Sequence, residues 1–244
     1  MKTLINGLKI NYLIKGEGKP ILLLEGWKAS LKTYEKLIDH LSEYRKVYAL
    51  DLPGFGESDE PKTSMSLNDY LFIVLEFIKK YELNNFDIIA HSFGGRIVIK
   101  SFPNDLKINK LILISPAGIQ NKKSFSKIIK QHLYKIIKKV PKLKEYYINK
   151  FSSLDYKNLS EVMRKTLVKV VNEDLKYKLP DIDRPCLLIW GENDKETPLK
   201  NGYIMKESIP DSGLCIIPDT GHFCFLEKED YVYKIIDSFL KEQE

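Results

Sequence analysis

The chain lacks what membrane-spanning, disulfide-built and metal-built proteins need. Its 244 residues hold no run of 18 consecutive apolar residues, so no segment reads as a membrane span. Cysteine is scarce: Cys186, Cys215 and Cys224 are odd in number, far apart and set in apolar runs. That pattern argues against a disulfide framework or a zinc site and suits buried thiols in a reducing, cytoplasmic setting. No cluster has metal-ligand spacing and no dinucleotide fingerprint appears, so neither a metal nor an organic cofactor is expected. Met1-Lys2-Thr3-Leu4-Ile5-Asn6-Gly7 lacks the apolar centre of a secretion signal and reads as a first strand. Internal repeats, disordered linkers and recognised nucleic-acid modules are also missing.

What is there is a globular composition. The apolar share of 43% supports a sizeable core, and a chain of this length buries roughly 70–75% of its unfolded surface. The net charge of +6 is unevenly spread. Residues 120–180 hold sixteen Lys and Arg against five Asp and Glu, a balance of +11, which leaves −5 for the rest. One segment is basic and the body is acidic.

Apolar patterning gives alternating strands and helices. Residues 2–15 read as an antiparallel hairpin turning at Gly7. Ile21–Leu24, Lys46–Leu50, Phe86–Ala90, Leu111–Ile114, Cys186–Trp190 and Leu214–Ile217 are near-continuous apolar runs of the kind buried on both faces of a parallel sheet. Between them fall helical patterns: from Ser30 to about Tyr44, after Ser66, from the glycines at 94–95 to Phe102, Leu199–Ser208 and Lys228–Lys241. This order predicts a doubly wound, mostly parallel α/β sheet. Residues 119–180 carry no strand-like run and have helical periodicity, for instance at Ile128, Ile129, Leu133, Ile136 and Ile137. They read as a helical cap inserted into a core made of residues 1–118 and 181–244, at the sheet edge where such folds bind ligands.

The chemistry gathers at that edge. Phe86-Asp87-Ile88-Ile89-Ala90-His91-Ser92-Phe93-Gly94-Gly95 is a strand that ends abruptly at a serine and turns at once into a helix. It matches the elbow pattern G-x-S-x-G with Ala90 in the first position. A serine lifted onto so tight a turn brings strand and helix together, so small residues must flank it. A serine hydroxyl also needs a base, and the base an orienting group. Of four histidines, His222 follows the last strand in a glycine loop, whereas His40 ends a helix, His132 lies in the basic segment, and His91 must point away from the apex. Asp194 follows another buried strand in Gly191-Glu192-Asn193-Asp194, with Glu192 and Glu196 as neighbours that could compete for the acid role. Ser92, Asp194 and His222 thus stand in the order Ser, Asp, His at three strand ends.

With those residues in place, the chain resembles the α/β-hydrolase superfamily, in its lidded serine esterase branch, over nearly its whole length. Asp51-Leu52-Pro53-Gly54-Phe55-Gly56-Glu57-Ser58, the elbow, Gly191–Asp194 with Pro198, and Gly221-His222 carry the resemblance. It implies a catalytic triad of Ser92, Asp194 and His222. It also implies an oxyanion hole from the backbone N–H groups of Trp27 and Phe93, with Gly26 beside the substrate. The implied activity is hydrolysis of a carboxylic ester or thioester through an acyl-enzyme, by a monomer or homodimer, with no metal. The substrate is then a small ester or acyl group, anionic or held on a carrier protein, to which the basic cap offers attraction. Lyases of menaquinone synthesis and carbon–carbon bond hydrolases share the triad. Likeness to the former implies an anion contact at Arg96, against the simpler expectation that Arg96 pairs with a neighbouring carboxylate; Arg164 in the cap is a candidate second contact.

One departure stands out. Where the family usually has His-Gly at the head of the oxyanion loop, this chain has Glu25-Gly26. A carboxylate beside an oxyanion opposes the developing charge unless it is protonated or paired. A side chain turned sideways into a polar contact is the expectation; lost activity, leaving a ligand-binding protein on the same fold, is the alternative.

Overall fold

A computed structural model describes residues 1–103, 106–120 and 158–241. Expectations that fall on 121–157, including His132 and most of the basic cap, lie outside the described residues.

The hairpin forms as β1 (Lys2–Ile5) and β2 (Leu8–Lys15), antiparallel, with Asn6 and Gly7 both at positive φ in the turn. β3 (Pro20–Leu24), β4 (Lys46–Leu50), β5 (Phe86–His91), β6 (Ile108–Ile114), β7 (Cys186–Gly191) and β8 (Ser212–Ile217) follow. The eight strands form one sheet in the order β1-β2-β4-β3-β5-β6-β7-β8. From β3 to β8 every pairing is parallel; β2 joins β4 antiparallel. The chain runs from β3 outward to β4, then crosses back to β5 on the other side of β3. That reversal is a topological switch point, and the crevice beyond the carboxyl ends of β3 and β5 is where doubly wound sheets bind ligands.

Both faces of the sheet are covered because its central strands are apolar at successive positions. Leu22, Leu24, Leu50, Ile88, Ala90, Leu111, Leu113 and Leu188 pack against α2 (Leu67–Lys80) and α3 (Phe93–Ser101). Their neighbours Ile21, Leu23, Val47, Ala49, Ile89, Ile112 and Ile189 pack on the opposite face, against α1 (Glu35–Ser42). A fully buried aliphatic side chain contributes about 1.5–3 kcal/mol relative to exposure, so this two-sided packing is the main adhesive of the fold. The helix expected from Ser30 begins instead as a 3-10 turn, Leu31–Tyr34, because the Leu31 N–H is drawn to the Asp51 carboxylate at 2.7 Å.

From the segment expected to form a cap, α4 (Glu161–Val171) is described, followed by a 3-10 stretch, Lys176–Asp181. α4 is stitched to the body. Met163 and Val170 enter the core, the Met65 N–H donates to Thr166 Oγ1 at 3.0 Å, and Lys169 reaches the Ser64 carbonyl at 2.9 Å. The chain closes with α5 (Lys200–Ser208), a one-turn α6 (Cys224–Glu227) and α7 (Glu229–Leu240). α7 buries Val232, Ile236 and Leu240 on the α1 face, whereas α5 inserts Met205 on the other. α6, unexpected from the sequence, follows the His222 loop directly.

Candidate active site

The elbow is a real backbone feature. Ser92 sits between β5 and α3 at φ 49° and ψ −106°, a left-handed conformation that a non-glycine residue adopts at a cost of about 1–3 kcal/mol. The neighbourhood holds it there. Its N–H donates to the Ile114 carbonyl at 3.0 Å, and its own carbonyl accepts from the N–H groups of Arg96 and Ala117 at 3.2 and 2.9 Å. Close approach explains the small flanking residues. A Cβ added at Gly94 would stand 2.5 Å from the Leu24 carbonyl oxygen, so only glycine lets α3 press against the end of β3. Ala90 is fully buried and fits without displacement.

The three residues expected at the strand ends come together. His222 Nε2 lies 2.9 Å from Ser92 Oγ, and His222 Nδ1 lies 2.8 Å from Asp194 Oδ2. Asp194 is held more fully than its role required. Oδ1 accepts the N–H groups of Glu196 and Thr197 at 2.8 and 2.9 Å, and Oδ2 accepts the Thr197 hydroxyl at 2.8 Å as well as His222. Burial alone would raise this carboxyl. The bond to His222, its charge and the Thr197 bonds outweigh burial and bring the pKa down to about 2. Asp194 is therefore ionised and keeps the His222 proton on Nδ1, which leaves Nε2 to accept from Ser92.

The opposite flank is the loop after β3. Its Glu25 carbonyl accepts the Gly94 N–H at 2.9 Å, which locks the loop to the first turn of α3. Phe93 is the first residue of that helix, so its N–H has no partner one turn back and lies at the positive end of the helix dipole. The Trp27 ring packs edge-on against Phe93 and Phe55, at 5.3 and 4.9 Å between centroids.

Glu25 does turn sideways. Its Oε1 accepts the Leu52 N–H at 2.7 Å, its Oε2 has no hydrogen-bond partner, and the residue is fully buried. Desolvation, opposed by the Leu52 bond and reinforced by the nearby Asp51 charge, holds its carboxyl well above the usual range. Leu52 is offered by the loop of the Asp51–Ser58 stretch, which closes on its own first residue. Asp51 accepts the Glu57 N–H and the Asn11 amide at 2.8 Å each, and the Ser58 hydroxyl donates to the Asp51 carbonyl at 2.6 Å.

The two arginines fare differently from the triad. Arg96 is buried, and its Nη1 donates to the carbonyls of Val170 and Glu173 at 2.8 and 2.5 Å. The first of these carbonyls belongs to the last turn of α4 and the second lies two residues past its end, so the guanidinium satisfies an orphan acceptor of the helix and fastens the chain that leaves it. Lys100 adds an ion pair to Glu173. Arg164 lies half-buried on α4, where its backbone N–H donates to the Ser160 carbonyl at 2.9 Å.

Thr197, Tyr34 and a partnering role for His91 were missed from the sequence. Thr197 had a readable signal: an aspartate three residues before a threonine is the spacing at which a carboxylate caps backbone N–H groups. Among the described residues no group of His, Cys, Asp and Glu is arranged to hold a metal ion, and no helix is long and apolar enough to cross a membrane.

An elbow serine, a buried carboxylate and a bridging histidine at the carboxyl edge of a β3–β8 parallel sheet define the α/β-hydrolase class. Comparison with known proteins agrees: a family model of the α/β-hydrolase fold matches residues 19–169 and 147–229, and the chain belongs to that family. It is 28% identical to the pimeloyl-[acyl-carrier protein] methyl ester esterase of Shewanella woodyi, over 88% of this chain and 91% of that one. It is 26% identical to the 2-hydroxy-6-oxo-6-(2'-aminophenyl)hexa-2,4-dienoic acid hydrolase of Metapseudomonas resinovorans, over 96% and 88%. Among solved structures, an esterase from Exiguobacterium antarcticum superposes with a TM-score of 0.79 at 23% identity, covering 98% of this chain and 97% of that one. The family and these relatives support a hydrolase.

Proposed function

We propose that the protein is a serine hydrolase that cleaves a carboxylic ester or thioester through an acyl-enzyme on Ser92. The observation that carries this reading is the continuous chain Ser92 Oγ–His222 Nε2 at 2.9 Å and His222 Nδ1–Asp194 Oδ2 at 2.8 Å. Ser92 Oγ attacks the carbonyl carbon while His222 Nε2 takes the hydroxyl proton, and Asp194 stabilises the imidazolium that forms. The N–H groups of Phe93 and Trp27 receive the oxyanion; one such donor is worth about 2.7–4 kcal/mol in the transition state. His222 then gives its proton to the departing alcohol or thiol. Water, deprotonated by the same nitrogen, frees the acid and restores Ser92.

The substrate is an acyl ester of small or medium size, anionic or carried on an acidic protein. The Shewanella relative's name supports the carrier-bound form, and the excess of lysine in 120–180 supports attraction of an anion. The free thiols, two of them buried, suit a cytoplasmic site of action. A second reading, carbon–carbon bond hydrolysis by the same triad, has the Metapseudomonas relative in its favour.

A fluorophosphonate probe tests the central claim. Wild-type protein is expected to be labelled stoichiometrically and Ser92→Ala not at all; unlabelled wild type overturns the enzyme reading and leaves a binding protein. A panel of p-nitrophenyl esters then reads acyl preference, and turnover of a dienoic acid of the Metapseudomonas type without ester turnover selects the second reading. For an anionic ester, kcat/KM should fall as salt rises; a flat response removes the steering role of the basic segment.

A further inference from the structure

Behind Ser92, on the sheet face covered by α1 and α7, lies a buried hydrogen-bond chain that the triad does not use. The Gly26 N–H donates to Tyr34 Oη at 2.9 Å. Tyr34 Oη lies 2.9 Å from His91 Nδ1, and His91 Nε2 lies 3.0 Å from the His222 carbonyl oxygen. The two ends fix every proton between them. A backbone N–H can only donate, so the Tyr34 oxygen accepts from Gly26; a carbonyl can only accept, so His91 carries its proton on Nε2. The Tyr34 hydroxyl proton then points at His91 Nδ1. A second proton on His91 would face the hydroxyl and leave its O–H without a partner. Burial, with the nearby His222 charge, agrees by bringing the His91 pKa down to about 3.

The chain is also sterically seated. The Tyr34 ring stacks on Phe225 at 5.1 Å and 6° between planes. His91 packs against Phe223 and Phe225 at 5.1 and 5.2 Å between centroids, tilted to the first ring and edge-on to the second. A Cβ at Gly26 would stand 2.8 Å from His91 Nδ1, so the loop rests on the imidazole itself and needs glycine there. One end of the chain is thus the residue before Trp27, the middle is the residue before Ser92, and the far end is the main chain of His222.

We infer that Tyr34 and His91 are positioning residues: a neutral relay that ties the oxyanion loop and the His222 loop to the strand carrying Ser92, so that donor, nucleophile and base keep a common register. Neither touches substrate. The inference rests on the reading of Ser92 as nucleophile. Loosening the relay should cost transition-state stabilisation rather than substrate binding, because a donor loop displaced by a fraction of an ångström loses more in the transition state than in the ground state.

Tyr34→Phe keeps the ring and its stack on Phe225 but deletes the hydroxyl. The expected result is a fall of about 10- to 100-fold in kcat and in the rate of fluorophosphonate labelling, with KM changed by less than about threefold. Wild type that never labels means that the nucleophile reading has failed; wild type that labels with Tyr34→Phe labelling equally fast means that the relay has failed and the nucleophile stands. Should Tyr34→Phe not fold, proton–nitrogen NMR of the wild-type imidazoles decides, with His91 assigned by elimination through His40→Gln, His132→Gln and His222→Gln. The relay requires one ring that stays neutral and protonated on Nε2 from pH 5 to 9; a His91 that titrates in that range, or carries its proton on Nδ1, overturns it.

Discussion

Two buried carboxyls flank Ser92 and are treated in opposite ways. Asp194 collects two N–H groups, a hydroxyl and an imidazole, and its pKa comes down to about 2. Glu25 collects one N–H, leaves Oε2 without a partner, and is held well above the usual carboxylate range. Burial pushes both upward, so the number and charge of their partners decides the difference. The proposed mechanism needs a fixed negative charge beside His222, and the fold supplies four partners for the Asp194 carboxylate. A fixed negative charge beside the proposed oxyanion hole would oppose that mechanism, and the fold supplies Glu25 with a single partner. A carboxyl whose ionisation burial disfavours suits the proposed oxyanion loop better than a solvated or well-bonded one.

The largest expected effect comes from removing the charge on the base side. In Asp194→Asn the amide cannot stabilise an imidazolium, and His222 is free to take the wrong tautomer. By the behaviour of such triads, kcat for a p-nitrophenyl ester should fall by about 10⁴ while KM holds. A loss below tenfold would mean that His222 works without Asp194. The same carboxyl has a stability signature. Its folded pKa lies below the ordinary 3.8, so its contribution is present above that pH and is lost as pH falls through about 2. The shift corresponds to about 2 kcal/mol. The difference in unfolding free energy between wild type and Asp194→Asn should shrink by that amount from pH 5 to pH 2, and a constant difference contradicts the assignment.

The base side was also the more legible one. The elbow, Asp194 and His222 each follow an apolar strand within a few residues, so local pattern alone brought them to one sheet edge. The oxyanion side depends on contacts across the chain. Glu25 meets Leu52 across 27 residues, and Tyr34 meets His91 across 57. His91 was correctly turned away from the apex, but what it turned toward could not be read, because Phe225 and the His222 carbonyl arrive from the far end of the sequence. The 3-10 turn at Leu31–Tyr34 was missed for the same reason: Asp51, 20 residues on, captures the Leu31 N–H. Arg96 was read by likeness to other proteins, and its partners, the carbonyls of Val170 on α4 and of Glu173 just beyond it, have no sequence signature. Capping by Asp194 of its own following turn was local and remained readable in principle.

Glu25 gives the next effect, about tenfold. Its raised pKa means that the stability it contributes below the ordinary 4.5 is lost as pH rises toward the folded value. Activity should follow the same group. Asp51 and the hydroxyls of Tyr34 and Tyr70 are titratable neighbours tied to it electrostatically; burial pushes both hydroxyls upward, and none of the three is a cation. Once Glu25 ionises, nothing among them offsets its charge. The expected profile of kcat/KM therefore falls about tenfold on the alkaline side, roughly 1.4 kcal/mol of opposed oxyanion charge. Glu25→Gln, which keeps an acceptor for Leu52 and cannot ionise, should lack that limb. Identical alkaline limbs in the two proteins would remove Glu25 from the electrostatics of the site.

Thr197→Val gives the smallest effect and the finest test of the contrast. The substitution deletes one of the four bonds to Asp194 and keeps the side chain's shape and both N–H donors. A hydrogen bond to a charged group is worth about 1.5–3 kcal/mol, but the remaining three partners still favour ionisation. Asp194 should therefore stay ionised at neutral pH, with the acid loss of stability moving upward by about one pH unit and kcat falling by about tenfold or less. A loss approaching that of Asp194→Asn would mean that the Thr197 hydroxyl, rather than the backbone N–H groups and His222, holds the charge in place. Asp194 would then differ from Glu25 by a single bond instead of by the whole cage of donors around it.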